Sequence, residues 1–257
     1  MKTLRDTWYM IGRQARNLLR EPIWIVILLV QPMVWLLLYG QLFKNVTRLG
    51  GFGTTSYITF LAPAIVVMNA FFSASWSGMS MVFDIERKFV ERFLATPASR
   101  LSLVLSQIVR SALTAAIQGV IILIVAAALG VRVHAGLAGW IVILLVAVLV
   151  NAAFAGFSQG IALLVRREST VIALANFITL PLLFLSSTLL AQAQMPHWMR
   201  VLSDFNPVNW GVRASRGVVL PGTDWGAVGA HLGYLFALSV VTAAFANWTF
   251  RVYKRSL

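Results

Sequence analysis

Long apolar segments alternate with short polar connections along this 257-residue chain. Six of the segments are long enough for a helix that crosses a hydrocarbon core, which needs about 20 residues. Their predicted bounds are 23–43, 57–83, 101–130, 139–165, 171–193 and 226–250. The pattern therefore predicts an all-α integral membrane protein in which residues 1–257 form a single domain with six transmembrane helices.

The first 22 residues predict a helix that lies in the membrane interface. On a helical wheel the apolar side chains gather opposite the basic ones, and such a helix lies flat at the surface of a bilayer. The apolar side comprises Leu4, Trp8, Ile11, Ala15, Leu18 and Leu19, and the basic side comprises Lys2, Arg5, Arg13, Arg16 and Arg20. A lipid anchor and a mechanical role both remain open for this helix.

A second polar region, residues 194–222, lies between the fifth and sixth predicted spans. Asn206 and Pro207 divide it into two helical patterns, each too short to cross a membrane. We expect two short helices in or on the outer leaflet. The residues of interest in this outer segment are Pro196, Trp198, Asn206, Pro207, Arg213 and Arg216.

Composition and charge support a membrane protein and orient it. Apolar residues make up 59% of the chain and the mean hydropathy is +0.82, whereas soluble domains are about 45–50% apolar. Fourteen of the 21 Lys and Arg residues lie in the two termini and in the second-to-third and fourth-to-fifth connections. The positive-inside rule then places both termini in the cytoplasm, in a plasma (inner) membrane. This distribution explains the net charge of +13 without nucleic-acid binding.

Several kinds of chemistry are missing from the sequence. The chain has no cysteine, its three histidines lie in separate segments, and no glycine-rich phosphate-binding loop is present. We therefore predict no metal site, no cofactor and no catalytic residues in this chain. All eight carboxylates lie outside the spans or at their ends, which argues against an ion-coupled carrier.

Polar residues inside the spans form stripes. The second span carries Asn69, Ser73, Ser77 and Ser80 on one face, the third carries Gln107, Ser111, Thr114 and Gln118, and the fifth carries Asn176, Thr179, Ser186, Ser187 and Thr188. Such residues serve either close helix packing or a substrate path. The candidates for a path are Asn69, Ser73, Ser77, Asn176, Thr179 and Ser187. Arg110, within the third span, either snorkels to the interface or has a function.

The connection between the second and third spans, DIERKFVERFLATPASR, is unusually polar. It predicts an amphipathic helix on the cytoplasmic face, which Thr96 and Pro97 end because proline disfavours a helical residue before it. The apolar half comprises Ile85, Phe89, Val90, Phe93 and Leu94, and the charged half comprises Arg87, Lys88, Glu91 and Arg92. Since both ends are tied to spans, a separate ATPase that pushed this helix would move both spans.

Two motifs resemble the ABC-2 type transporter permeases. ERKFVERFLATPASR is similar to the cytoplasmic coupling segment of that family, and MPHWMRVLSDFNPVNWGVRASRG is similar to its outer signature. The order of parts also matches over essentially the whole chain. One departure is Lys88-Phe89-Val90, where family members often have a small residue or a Gly-Thr step.

The resemblance implies the permease subunit of an ATP-binding cassette exporter. Such a subunit works with a second, identical or different permease, with membrane lipids around it and with two cytoplasmic ATPase subunits that hold ATP and Mg²⁺. The drug-resistance (daunorubicin-type) branch is favoured, with a hydrophobic or amphipathic small molecule or lipid as substrate; a lipid-linked glycan is the alternative. The ATPase contact would comprise Asp84, Glu86, Arg87, Lys88, Phe89, Glu91, Arg92, Phe93, Thr96 and Pro97.

Overall fold

The computed structural model describes residues 29–88, 90 and 100–255, and these residues form helices and loops with no strand among them. The helices are α1 (Leu29–Leu42), α2 (Tyr57–Ser75), α3 (Ser77–Glu86), α4 (Arg100–Ala128), α5 (Gly136–Val165), α6 (Glu168–Phe184), α7 (His197–Asp204), α8 (Pro207–Val219) and α9 (Trp225–Arg255). The predicted interfacial helix over residues 1–22 lies outside the described residues.

Four helical stretches of the described chain are long and apolar enough to cross a membrane. They are Tyr57–Glu86, Leu103–Ala128, Gly136–Val165 and Trp225–Tyr253, each of 26 to 30 residues. The first of them joins α2 and α3 through Trp76. At 1.5 Å per residue these stretches measure about 39–45 Å, more than a hydrocarbon core of about 30 Å. They confirm helices at the predicted second, third, fourth and sixth spans.

The first and fifth predicted spans are shorter in the structure. The described part of the first is α1, which contains a π-helical turn at Trp35–Tyr39, and the predicted start at residue 23 lies outside the described residues. The fifth was predicted over roughly 171–193, whereas α6 runs from Glu168 to Phe184, so the predicted start agrees within a few residues and the predicted end is wrong. Apolar residues continue to Leu190, but hydrogen bonds from α8 hold the backbone of Ser187 and Thr188 in a non-helical course.

Helix α5 lies at the centre of the bundle and packs against α2, α4, α8 and α9. The ring of Phe154 on α5 lies edge-on against the ring of Phe71 on α2, with 4.4 Å between their centres. Buried apolar side chains extend from this contact towards both ends of the bundle. The core is therefore built around one long helix that positions α2 and α3 on one side and α9 on the other.

Small residues allow α5 and α9 to approach closely. A Cβ atom added at Gly156 would lie 3.0 Å from the backbone carbon of Thr242 and 3.1 Å from the nitrogen of Ala243. Gly156 belongs to a pattern of small residues spaced four apart on α5, and Gly229 with Gly233 forms a second such pattern on α9. A Cβ at Gly229 or Gly233 would meet nothing within 4 Å. The first pattern therefore packs within the described chain, and the second lies on an open face.

The outer segment (residues 194–222) contains the two predicted short helices, α7 and α8. Asn206 begins α8 by accepting a hydrogen bond from the backbone nitrogen of Val208 at 2.9 Å, and Pro207 occupies the first turn, where a missing N–H is tolerated. The predicted division at Asn206 and Pro207 is confirmed. The position of these helices relative to the outer leaflet stays a prediction.

Replacing Gly156 by leucine should destabilise the bundle, because the new side chain meets the backbone of α9 rather than a movable side chain. Overpacking of this kind costs about 1–3 kcal/mol, and we expect a lower melting temperature for the purified protein in detergent. Gly229→Leu is the matched control, since it adds the same side chain in open space. A melting temperature for Gly156→Leu equal to that of Gly229→Leu would contradict the packing described here.

Candidate functional site

The connection between the second and third spans (residues 84–100) is described mainly at its start. Asp84, Glu86, Arg87 and Lys88 are among the described residues, whereas Phe89, Glu91, Arg92, Phe93, Thr96 and Pro97 lie outside them. The side-chain nitrogen of Gln107 on α4 donates a hydrogen bond of 2.6 Å to the Asp84 carboxylate on α3. This bond ties the first residue of the predicted ATPase contact to the third span.

The backbone of Lys88 changes the predicted coupling helix. Asp84 and Glu86 belong to the last turn of α3, and Lys88 has a φ of 55°, in the left-handed region that favours glycine. One amphipathic helix running from Asp84 onwards is therefore wrong at its start, because this conformation ends α3 before Phe89. The departure from the family pattern noted in the sequence, a lysine near the expected small or Gly-Thr step, coincides with this turn.

The polar stripes of the second and third spans face each other. The amide nitrogen of Asn69 donates to the side-chain oxygen of Gln118 at 2.9 Å, and both residues are buried. Further along the two spans, the Ser80 hydroxyl donates to the carbonyl oxygen of Ser77 at 2.7 Å and lies 3.5 Å from the side-chain oxygen of Gln107. Gln107 thus contacts both Ser80 and Asp84, so the polar interface continues to the start of the connection between the second and third spans.

Between these two contacts the helices separate around a polar cleft of about 160 Å³. One guanidinium, one amide, one indole and five hydroxyl groups line it. The lining residues are Ser73, Trp76, Ser77 and Ser80 from the second span and Gln107, Arg110, Ser111 and Thr114 from α4. The structure therefore brings the predicted path residues Ser73 and Ser77 together with Arg110, and Asn69 lies just above them.

The second span is interrupted at Trp76, between α2 and α3, and polar side chains of α5 bond to residues on both sides of this break. The Ser158 hydroxyl donates to the carbonyl oxygen of Ser75 at 2.7 Å and accepts from the backbone nitrogen of Gly78 at 3.1 Å. Gln159 donates to the Ser77 hydroxyl at 3.0 Å. These α5 residues were missed in the sequence, although Asn151, Ser158 and Gln159 share one face at helical spacing.

The remaining path candidates lie elsewhere. Thr179 on α6 is buried, and its hydroxyl shares a hydrogen bond of 3.0 Å with that of Ser75, away from the cleft. Asn176 is exposed on the surface of α6. Ser187 belongs to the outer region described next. The polar stripe of the fifth span is therefore divided among three environments, and it does not join the cleft.

A buried arginine joins the outer segment to the bundle. Arg216 on α8 donates from its Nε atom to the carbonyl oxygen of Phe60 at 3.0 Å, and from Nη2 to that of Thr188 at 2.7 Å. Its Nη1 atom donates to the carbonyl oxygen of Ser187. The guanidinium carbon also lies 3.4 Å from the centre of the Phe60 ring, within the range of a cation–π contact. Burial lowers the pKa of Arg216 to about 9, so it remains charged at neutral pH.

Two asparagines complete this outer junction. The Asn209 side-chain oxygen accepts from the backbone nitrogen and hydroxyl of Ser187 at 3.0 and 2.6 Å. Asn206 donates to the carbonyl oxygen of Leu182 at 2.6 Å. By contrast, Arg213 on the same helix forms an exposed ion pair of 2.9 Å with Asp204. Buried hydrogen bonds, rather than surface charge pairs, therefore attach α8 to the end of α6.

An apolar pocket of about 340 Å³ lies beside this junction. It is bounded by the end of α1, the end of α6 and the start of the outer segment, and its lining includes Tyr39, Phe43, Phe184, Leu189 and Met199. Trp198 and Pro196 lie at the same end of the molecule, and Trp198 is exposed. The predicted outer residues therefore occur in one region, with Arg216 at its buried centre.

Replacing Arg216 by methionine should weaken this junction, because three carbonyl oxygens lose their donors. Each buried group left without a partner costs about 1–3 kcal/mol, so we expect a clearly lower melting temperature in detergent. Arg213→Met is the control on the same helix, since an exposed ion pair is worth at most about 1 kcal/mol. Equal melting temperatures for the two variants would refute the central role of Arg216.

Comparison with known proteins identifies the class of this arrangement. Residues 5–220 match the ABC-2 type transporter family. The chain is 27% identical over 243 residues to ycf38 of Cyanophora paradoxa, which is named as a transport permease, covering 94% of this chain and 80% of that protein. It is 28% identical to ycf38 of Porphyra purpurea, over 84% of this chain and 74% of that one. It is also 23% identical to the daunorubicin resistance ABC transporter permease protein DrrB1 of Streptomyces coeruleorubidus, over 91% and 80% of the two chains. The all-helical bundle, its apolar spans and the match over most of its length show that this chain belongs to the ABC-2 type transporter family.

Proposed function

We propose that this permease subunit exports a hydrophobic or amphipathic small molecule, or a lipid, out of the cytoplasm or inner leaflet. Two such subunits, identical or different, would form the membrane part, and two cytoplasmic ATPase subunits would bind ATP and Mg²⁺ and supply the energy. The likeness to a daunorubicin resistance permease supports the drug-resistance branch. Both termini would face the cytoplasm, in the plasma membrane.

One observation carries this proposal. The contact between Gln107 and Asp84 joins the cytoplasmic connection to the polar cleft, and Gln107 also lines that cleft. A displacement of the connection by an ATPase would therefore act directly on the space between the second and third spans. Such a displacement is expected to change the width of the cleft and hence access to it.

The coupling role can be tested by changing the connection without changing the spans. Phe89→Ala with Phe93→Ala, and separately Glu86→Lys with Glu91→Lys, should leave insertion and abundance normal. Both pairs should abolish co-purification of the ATPase or the coupling of hydrolysis to export. For the phenylalanine pair the reason is that truncating a buried aromatic anchor commonly costs about 2 kcal/mol or more of binding. Co-purification of the tagged subunit with its ATPase, and transport in vesicles, are the measurements.

Glu168→Lys serves as the control for charge reversal, because Glu168 begins α6 in the other predicted cytoplasmic connection. We expect this variant to keep its ATPase and its transport activity. Full ATPase association and undiminished transport in both double mutants would show that the connection is not the coupling element.

The predicted orientation can be tested directly because the chain has no cysteine. Single cysteines at Ser99 and Ser256 should be protected from a membrane-impermeant thiol reagent added outside intact cells. A cysteine at Thr223, between α8 and α9, should react. Labelling at Ser256 in intact cells would exclude a cytoplasmic carboxyl terminus, and protection at Thr223 would exclude an outer position for that loop.

A further inference from the structure

We propose that the polar cleft between the second and third spans binds the phosphate or carboxylate head group of an amphipathic molecule in the cytoplasmic leaflet. This inference rests on the proposed export function and adds the charge of the ligand and the atoms that recognise it. It makes Arg110 a ligand-binding residue rather than a side chain that only reaches towards water.

The groups that line the cleft are suited to an anion. Arg110 supplies a fixed positive charge and several N–H donors, and guanidinium groups bind carboxylate and phosphate oxygens in pairs. No described carboxylate lines the cleft or forms an ion pair with Arg110, and Asp84, which lies below, accepts its bond from Gln107. Arg110 is therefore the charged residue among those that line the cleft, and its guanidinium is available to a ligand.

Hydroxyl groups in the cleft retain hydrogens to donate. Ser77 accepts a hydrogen bond from Gln159, so its own hydrogen is not used in that contact. Ser73 and Ser111 are only partly buried in the wall of the cleft. Thr114 and Ser80 already donate to the carbonyl oxygens of Arg110 and Ser77. Three hydroxyls and one guanidinium among the lining groups therefore keep hydrogens that an anionic group can accept.

The depth of the cleft matches the head groups of the cytoplasmic leaflet. Arg110 lies 18 residues from Ala128, the opposite end of α4, which is about 27 Å at 1.5 Å per residue. Trp76 lies 19 residues from Tyr57, or about 28 Å along the second span. Since the hydrocarbon core is about 30 Å thick, both side chains reach its inner boundary when Tyr57 and Ala128 both lie at the outer one. Indole rings favour this level of a membrane.

The cleft is large enough for the head group of the ligand only, and an apolar face of α4 lies above it for the tail. A space of about 160 Å³ accommodates a phosphate or carboxylate group but not a long apolar chain. Ile117, Ile121 and Ile124 follow Arg110 along one face of α4 at helical spacing, and none of them is fully buried. An apolar tail would lie along this face, in the hydrocarbon, while its head group occupied the cleft.

Binding can be measured on the full-length protein in nanodiscs of uncharged phosphatidylcholine, with radiolabelled dodecyl phosphate as the probe. Arg110→Gln should weaken binding at least tenfold, whereas Arg110→Lys, which keeps the charge, should weaken it less than fivefold. Arg132→Gln removes an equal charge from the connection between α4 and α5 and should change nothing. Dodecyltrimethylammonium, a cationic probe of the same chain length, should show no preference for the unmodified protein over Arg110→Gln.

A second variant keeps Arg110 and blocks it. Thr114→Glu places a carboxylate one helical turn away, where it can pair with the guanidinium, and it should also weaken dodecyl phosphate binding at least tenfold. Thr223→Glu, in the outer loop, is the control for added negative charge. Equal dodecyl phosphate affinity in the unmodified protein, Arg110→Gln and Thr114→Glu would overturn the proposal. So would binding of the cationic probe to the unmodified protein that is as tight as the binding of dodecyl phosphate.

Two sources of the anionic group can be separated in the same assay. If phosphatidylglycerol in the nanodisc displaces the probe from the unmodified protein and phosphatidylcholine does not, the cleft holds a bilayer lipid head group. If dodecyl phosphate remains bound at high phosphatidylglycerol, the site selects a different amphipathic anion. Both results support the anion site. No ATPase takes part in this assay, so loss of the anion-site proposal would leave the export proposal standing. Normal dodecyl phosphate binding in a protein that shows no ATP-driven export would refute only the export proposal.

Discussion

The requirement that buried backbone groups find hydrogen-bond partners governs this structure, and Arg216 meets it at the most demanding point. In a membrane, an unpaired carbonyl or N–H group has no water to bond, so helices can end at depth only where protein groups replace the missing bonds. Helix α6 ends at Phe184 while the chain is still apolar. Arg216 and Asn209 then bond the backbone of Ser187 and Thr188 and allow the chain to leave the helix.

The same constraint explains the centre of the bundle. The second span is interrupted at Trp76, and Ser158 of α5 bonds both the carbonyl before the break and the N–H after it. Asn151, on the same face of α5, donates to the carbonyl oxygen of Ala70 at 3.0 Å. Helix α5 is thus both the packing centre and the source of polar groups that permit a change of direction beside the cleft. The break and the cleft occur at one level, since Trp76 and Ser77 line the cleft.

Hydropathy was sufficient to predict the long helices, since each needs only a run of apolar residues. It failed for the fifth span because the groups that end α6 come from Asn209 and Arg216, which lie 22 and 29 residues beyond Ser187 in the sequence. The polar stripes were visible as faces of single helices, but their pairing through Asn69 and Gln118 depends on how neighbouring helices are arranged. The turn at Lys88 was hidden for another reason: helical periodicity continues through that residue, whereas its backbone does not.

Lys88 has a mechanical consequence for the joint between α3 and the cytoplasmic connection. For a residue with a Cβ atom, the left-handed conformation lies roughly 1–2 kcal/mol above the right-handed one. Glycine at this position would rotate freely between the two, and a push applied beyond it would be partly lost in bending. A lysine restricts the joint at residue 88 to fewer angles, so a force applied there would reach α3 with less loss to bending.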